Sequence, residues 1–243
     1  MSDQKIALIT GANKGLGFET ARQLGRQNIR VLVGARDETR GQAAAEKLRA
    51  EGFAAEFILL DVGNQQTHHA AAKHIEENYG KLDILINNAG IVLETLNGTP
   101  SEVDLETVRE TFDTNFFGVI AVTKAFLPLI KKSDAGRIVN VSSGLGSLAK
   151  NADANWDYAA VKPLAYNSSK TALNAFTVIL AHELKNQNIL VNSADPGYTA
   201  TDLNNNQGTK TVEQGAAVIT HLATLPDDGA TGGYFDDQGV VPW

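Results

Sequence analysis

Tyr166 and Lys170 stand four positions apart in Tyr166-Asn167-Ser168-Ser169-Lys170, at the start of a helix-like stretch. Side chains at i and i+4 share one helix face, so a phenol and an ammonium can converge there. A free tyrosine has a pKa of about 10 and exchanges protons poorly near neutrality. A neighbouring cation stabilises the phenolate, and a helix N-terminus acts in the same direction. A phenol tuned this way can give its proton to a developing alkoxide. Standing alone, the pair would read as an ordinary exposed helix face, because lysine is almost never buried without a partner. Its meaning therefore depends on what else the chain holds.

A second group is Thr10-Gly11-Ala12-Asn13-Lys14-Gly15-Leu16-Gly17, spaced G-x-x-x-G-x-G. Glycines permit a tight turn and let the backbone approach a pyrophosphate. A following helix offers free N–H groups and a partial positive charge. The competing reading is a plain strand–helix turn. The position after one apolar run and before a helical one argues for the phosphate loop.

The elements that must carry these groups follow from periodicity. Short apolar runs at Ile6–Thr10, Val31–Gly34, Phe57–Leu60, Ile84–Asn87, Ile138–Ser142 and Leu190–Ala194 predict buried strands, with a final short one near Gly233–Phe235. Helical stretches alternate with them at Leu16–Arg26, Glu38–Glu51, Gln65–Tyr79, Val103–Ile130, Tyr166–Lys185 and Val212–Ala223. This alternation predicts an α/β fold, a doubly wound parallel sheet of about seven strands with helices on both faces. Strands without polar alternation fit a sheet buried on both sides. In such sheets ligands bind past the carboxyl ends of strands, where Asp61 and Asn87-Asn88 stand.

Composition narrows the class. With 243 residues, 43% hydrophobic and 20% charged, the chain reads as globular, and residues 1–243 suit a single α/β domain. A net charge of −7 argues against nucleic acid as a partner. The absence of cysteine excludes disulfides, thiolate zinc sites and a cysteine nucleophile. Met1-Ser2-Asp3-Gln4-Lys5 has no apolar signal region, and by inspection no run approaches a membrane span, so a cytoplasmic protein without a membrane partner is expected. The sequons at Asn97 and Asn167 then carry no meaning. His68, His69 and His74 have neither helical ligand spacing nor an acidic partner, so a solvated helix face is expected and no metal. His182 and His221 read as packing or surface residues, and Trp243 as a docked apolar anchor. Ser142-Ser143 lacks the G-x-S-x-G elbow of a serine hydrolase.

Taken together, Thr10–Gly17, Asn87-Asn88-Ala89-Gly90, Asn115, Ser142-Ser143, Tyr166…Lys170 and Pro196-Gly197 occur in the order of the classical short-chain dehydrogenase/reductase family, which the chain resembles over nearly its whole length. Val33-Gly34-Ala35-Arg36-Asp37, Leu60-Asp61-Val62 and Val240-Val241-Pro242-Trp243 make it most similar to the carbonyl reductases. The resemblance implies a Rossmann-type fold and a Rossmann-bound nicotinamide dinucleotide. It implies Tyr166 as proton donor, Lys170 as the group that lowers its pKa and holds the nicotinamide ribose, and Ser143 as the partner of the carbonyl oxygen. Asn115 would lie at a distortion of the fourth helical stretch and hold a relay water. The loop residues Gly11, Asn13, Lys14, Gly15, Leu16 and Gly17 would cradle the pyrophosphate. Asn88, Ala89 and Gly90 would line the adenine ribose and stabilise the sheet, Asp61 and Val62 would contact adenine, and Pro196, Gly197 and Thr199 would face the nicotinamide. Ser143 and Tyr166 stand further apart than in most classical members, with the extra residues in Lys150–Leu164. That insertion, with Trp156 and Tyr158, would loop outward or wall the pocket.

The expected cofactor is NADP(H). An acidic residue past the second strand selects the unphosphorylated ribose; here Arg36 follows that strand, and Lys14 precedes the second loop glycine. Both cations suit a 2′-phosphate, while Asp37 or Glu38 on the ribose would reverse the preference. The expected partner is a small-molecule carbonyl substrate, covered by the Asn-, Gly- and Thr-rich segment Tyr198–Lys210 acting as a mobile lid. The resemblance allows a monomer, or a homo-oligomer through the fourth and fifth helical stretches. The alternatives are an NAD(P)-linked alcohol or hydroxysteroid dehydrogenase working oxidatively, a non-catalytic redox sensor, and an epimerase or dehydratase. The third would need a longer substrate domain after Ala194, and a sensor would be expected to lose the tyrosine or lysine.

Overall fold

A computed structural model describes residues 4–95 and 98–243; Met1–Asp3 and Asn97, on which the leader and one sequon reading touch, lie outside the described residues. Strands β1 (Ile6–Thr10), β2 (Arg30–Ala35), β3 (Ala55–Leu59), β4 (Ile84–Asn87), β5 (Gly136–Val141), β6 (Ile189–Ala194), β7 (Tyr234–Asp236) and β8 (Gly239–Val240) form one sheet in the order β3-β2-β1-β4-β5-β6-β7-β8. Every pairing through β7 is parallel, and β8 turns back antiparallel on β7. The helices are α1 (Gly15–Arg26), α2 (Glu38–Ala50), α3 (Gln65–Tyr79), α4 (Leu105–Phe112), α5 (Gly118–Ile130), α6 (Leu148–Ala152), α7 (Leu164–Glu183) and α8 (Val212–Ala223).

Side chains alternate across the sheet, so neighbouring strand residues feed different faces. Ile9, Val31 and Val33 join Leu24 of α1, Leu48 of α2 and Ile219 of α8 in one apolar layer. Leu8, Leu32 and Leu85 join Ile75 of α3, Phe126 of α5 and Leu180 of α7 in the other. The unbroken apolar strands are thus explained by two cores. The chain winds outward from β1 to β3 and then crosses to β4 on the far side of β1. That reversal opens a crevice at the carboxyl ends of β1 and β4, the place where such sheets bind ligands.

Several expectations need correction. The sheet has eight strands, because the two-residue β8 is too short to leave a sequence pattern. The helical stretch expected over Val103–Ile130 starts at Leu105, and the distortion expected at Asn115 is a π-helical turn over Asp113–Phe117. This 26-residue run, Leu105–Ile130, is also long and apolar enough by length and composition to cross a membrane, which inspection of the sequence missed. Its apolarity has a structural cause: Val122, Phe126, Leu129 and Ile130 are buried in the second core. His68 is not on a solvated face. It is buried, and its Nε2 lies 2.7 Å from the Asp61 carbonyl oxygen, so burial pushes its pKa below the usual histidine value.

Candidate active site

The phosphate loop is built by backbone conformation. Gly11 and Gly15 have φ of 64° and 56°, the left-handed region that a side chain disfavours. At Gly17 an added Cβ would lie 2.5 Å from Asn88 Nδ2 and 2.8 Å from the Gly11 carbonyl oxygen. Lys14 occupies the N-cap of α1 without a side-chain hydrogen bond to the first turn. Its uncapped amides, the room above the glycines and the helix dipole together fit a pyrophosphate. The Asn88 amide donates to the Thr10 and Gly11 carbonyls at 2.8 and 3.3 Å, and the Asn88 and Ala89 N–H groups donate to Thr10 Oγ1 at 2.9 Å. The motif after β4 thus holds the loop after β1 in shape.

The second cluster gathers at the carboxyl ends of β4 and β5. Tyr166 and Lys170 lie on the buried face of α7 at 8% and 4% exposure. The Lys170 ammonium donates to the Val141 carbonyl at 2.8 Å and lies 5.7 Å from the centre of the Tyr166 ring. Asn115 sits in the π turn, fully buried. Its amide oxygen accepts from the Ile91 N–H at 2.8 Å, and its amide nitrogen donates to the Ile91 carbonyl and Ser169 Oγ at 2.9 and 3.1 Å. A Cβ on Gly90 would meet Asn115 Oδ1 at 3.3 Å and Lys170 Nζ at 3.5 Å, so this glycine lets the two approach. Of the two serines, Ser142 is buried with no hydrogen-bond partner for its hydroxyl, whereas Ser143 is half-buried and acts on the Tyr166 phenol.

The electrostatics differ from the sequence expectation for an instructive reason. Burial pushes the Tyr166 phenol up to about 12; the Ser143 hydrogen bond pulls down, and the Asp195 carboxylate adds to the rise. Burial also pushes the Lys170 ammonium down to about 8. In the protein alone, desolvation of both groups outweighs the help that i, i+4 spacing offers.

The remaining predicted residues follow the carboxyl ends of β2, β3 and β6. Asp61 and Val62 follow β3, where the Asp61 carboxylate accepts from the Gly63 N–H at 3.0 Å. Pro196 and Gly197 follow β6, and Gly197 has φ of 70°. Thr199 is buried and donates to the Pro196 carbonyl at 3.0 Å, so its hydroxyl proton is engaged within the chain. Arg36 is exposed beyond β2 with no ion-pair or hydrogen-bond partner among the described residues. Asp37 caps α2 by accepting from the Arg40 N–H at 2.9 Å and lies 3.7 Å from the Arg40 guanidinium. Lys14 pairs with Asp202 at 2.6 Å.

Sequence reading missed several contributors. The insertion folds into α6, then packs Trp156 on Tyr158 and Tyr158 on Tyr198, with ring centres 5.5 and 5.8 Å apart. Lys150 of α6 reaches Asp195 and Asp236 at 3.6 and 3.5 Å. Tyr234 donates its hydroxyl to the Ser143 carbonyl and stacks on Trp243, which gives the expected terminal anchor a place. The segment Tyr198–Lys210 carries internal bonds, Ala200 N–H to the Lys210 carbonyl and Lys210 N–H to the Tyr198 carbonyl, at 2.9 and 3.0 Å. A concavity of about 490 Å³ lies on the opposite face of α7 against Leu148, Lys162, Thr171, Ala172 and Ala175, and neither Tyr166 nor Lys170 lines it.

These features agree with comparisons against known proteins. The family model described as short chain dehydrogenase matches residues 5–212. Carbonyl reductase (NADPH) 1 of Mus musculus is 36% identical over 285 aligned residues, covering 100% of this chain and 99% of the relative. The short-chain dehydrogenase anuI of Penicillium roqueforti is 41% identical over 228 residues, covering 90% and 88%. Among solved structures, NADPH-bound carbonyl reductase from chicken fatty liver superposes with a TM-score of 0.86 at 26% identity, over 99% of both chains. The chain belongs to the short-chain dehydrogenase family and is an oxidoreductase of that family, related to carbonyl reductases.

Proposed function

We propose that the protein reduces a ketone or aldehyde with NADPH, using Tyr166 as the proton donor. The observation that carries this reading is the meeting of Tyr166, Ser143, Lys170 and Asn115 beside a glycine loop fitted for a pyrophosphate. NADPH, when bound, supplies the hydride. The Ser143 hydroxyl and the Tyr166 phenol hold the carbonyl oxygen, where negative charge develops as the bond to carbon forms. Tyr166 then passes its proton to that oxygen. Lys170 would hold the ribose of the dinucleotide and place a positive charge beside the phenol, and Asn115 fixes Ile91 in the segment after β4. The packed rings of Trp156, Tyr158 and Tyr198 would form the apolar wall of the substrate side.

The choice of NADPH rests on charge. Arg36 is unpaired among the described residues and Arg40 stands one helical turn on, whereas of Asp37 and Glu38, either of which would select NADH, Asp37 is committed to the α2 cap and Glu38 accepts from Gln42. The mouse and chicken relatives carry NADPH in their names. The test is absorbance loss from NADPH and from NADH with quinones, α-diketones, aromatic aldehydes and ketosteroids. Reduction of at least one class, faster with NADPH, is expected. Tight NADPH binding without turnover of any carbonyl or alcohol would favour a redox sensor instead.

A further inference from the structure

The segment that follows β4 makes three attachments in succession. Asn88 bonds the phosphate loop through Thr10 and Gly11. Ile91 closes on Asn115 with both its N–H and its carbonyl. Four residues past Gly90, the Glu94 carboxylate then accepts the backbone N–H of Tyr166 at 3.0 Å. This last bond joins residues 72 positions apart, from a half-buried side chain.

The need for it is local. The helix α7 begins at Leu164 behind Pro163, which provides no capping side chain. Tyr166 is the third residue of that helix, and the first four N–H groups of a helix have no partner within it. In α2, α3, α4 and α8 such amides find a side chain two or three residues away. In α7 the acceptor comes instead from the stretch that bears Asn88, Ala89 and Gly90. A carboxylate is well placed there, because it faces the positive end of the helix dipole and makes a charge-assisted hydrogen bond.

We propose that Glu94 is a positioning residue for the reaction: by holding the Tyr166 backbone to the segment 88–94, it sets the phenol in register with the dinucleotide side of the cleft. The inference rests on the reading of Tyr166 as proton donor. Its logic is geometric. One short stretch touches the phosphate loop, the π turn and the catalytic helix, so an error at its far end displaces the proton donor from the reacting oxygen.

The test compares Glu94→Ala, Glu94→Gln, Glu94→Asp and Tyr166→Phe in the full chain. It measures kcat, KM for the carbonyl, NADPH affinity by fluorescence and the thermal midpoint. Because misplacement of a reacting group by about 1 Å costs roughly a hundredfold, Glu94→Ala is expected to lower kcat at least about tenfold. NADPH affinity is expected to stay within about twofold, since no dinucleotide contact is removed. Gln keeps an acceptor at the same reach and is expected to restore kcat to within about threefold. Asp keeps the charge, withdraws it by one methylene and is expected to be as slow as Ala, which carries the test should Ala fail to fold. Parental kcat in Ala or Asp with only a lowered midpoint would mean that Glu94 is a helix cap and nothing more. Gln as slow as Ala would also overturn the proposal. If Glu94 fails alone, Tyr166→Phe is still inactive; a fully active Tyr166→Phe overturns the underlying reading and this one with it.

Discussion

Replacing Arg36 with alanine isolates the charge that the account assigns to NADPH selection. The residue lies one position beyond β2, exposed, with no ion-pair or hydrogen-bond partner among the described residues. Its guanidinium therefore need not break an existing bond to meet a 2′-phosphate. A charge-assisted hydrogen bond contributes at least about 1.5 kcal/mol, or roughly tenfold in affinity, and an exposed one lies at the lower end. Lys14 differs, because its ammonium already contacts Asp202 at 2.6 Å. Lys14 must give up part of that pairing to engage a phosphate, so its net contribution to NADPH affinity is expected to be smaller than that of Arg36. Fluorescence titration of both cofactors at low and moderate salt measures this. Arg36→Ala is expected to weaken NADPH about tenfold and leave NADH within about twofold, with the gap narrowing as salt screens the phosphate. Equal weakening of both dinucleotides, or an unchanged NADPH constant, would refute the assignment.

Freeing Lys14 by Asp202→Asn is expected to tighten NADPH and leave NADH unchanged, read by the same titration. Reduction needs charged Lys170 beside a protonated phenol. Lys170 has a depressed pKa, so its charge is full well below pH 8 and is lost as pH rises through about 8. The kcat for reduction should fall over that window, and Lys170→Arg should remove the limb, whatever its residual rate, because guanidinium stays protonated. Gly17→Ala drives a methyl to 2.5 Å from Asn88 Nδ2 and 2.8 Å from the Gly11 carbonyl oxygen. It is expected to cost about 1–3 kcal/mol of stability and to abolish dinucleotide binding, measured by thermal melts and titration.

What the sequence disclosed and what it hid divide by range. The strands β1, β2, β4, β5 and β6 announced themselves because both faces are buried, which leaves continuous apolar runs such as Ile84–Asn87, whereas the edge strand β3 leaves Leu59 exposed and begins two residues before the expected run Phe57–Leu60. The loop at Gly11–Gly17 and the Tyr166–Lys170 pair are local spacings, linked in the structure by the segment after β4, where Asn88 bonds the loop and Gly90 lies beside Lys170. The π turn at Asn115 was expected only through the family resemblance, since nothing in Asp113–Phe117 alone breaks a helix. The hidden parts are long-range. Glu94 to Tyr166 and Tyr234 to Ser143 join residues 72 and 91 positions apart, and no periodicity marks either. His68 looked solvated because its neighbours are polar; the Asp61 carbonyl that engages it belongs to the preceding loop. The high phenol pKa was hidden too, because desolvation depends on the packed site rather than on the nearest charge.

On the proposed function, Tyr166 gives its proton to a carbonyl reduced by NADPH. Its most direct test is Tyr166→Phe, which removes one buried hydroxyl and leaves the ring in place. NADPH affinity and carbonyl turnover are measured side by side with the parent. Parental NADPH binding and a loss of kcat of at least about a hundredfold are expected, within the range that a positioned acid contributes. Turnover within a few-fold of the parent, with NADPH bound as before, would contradict it.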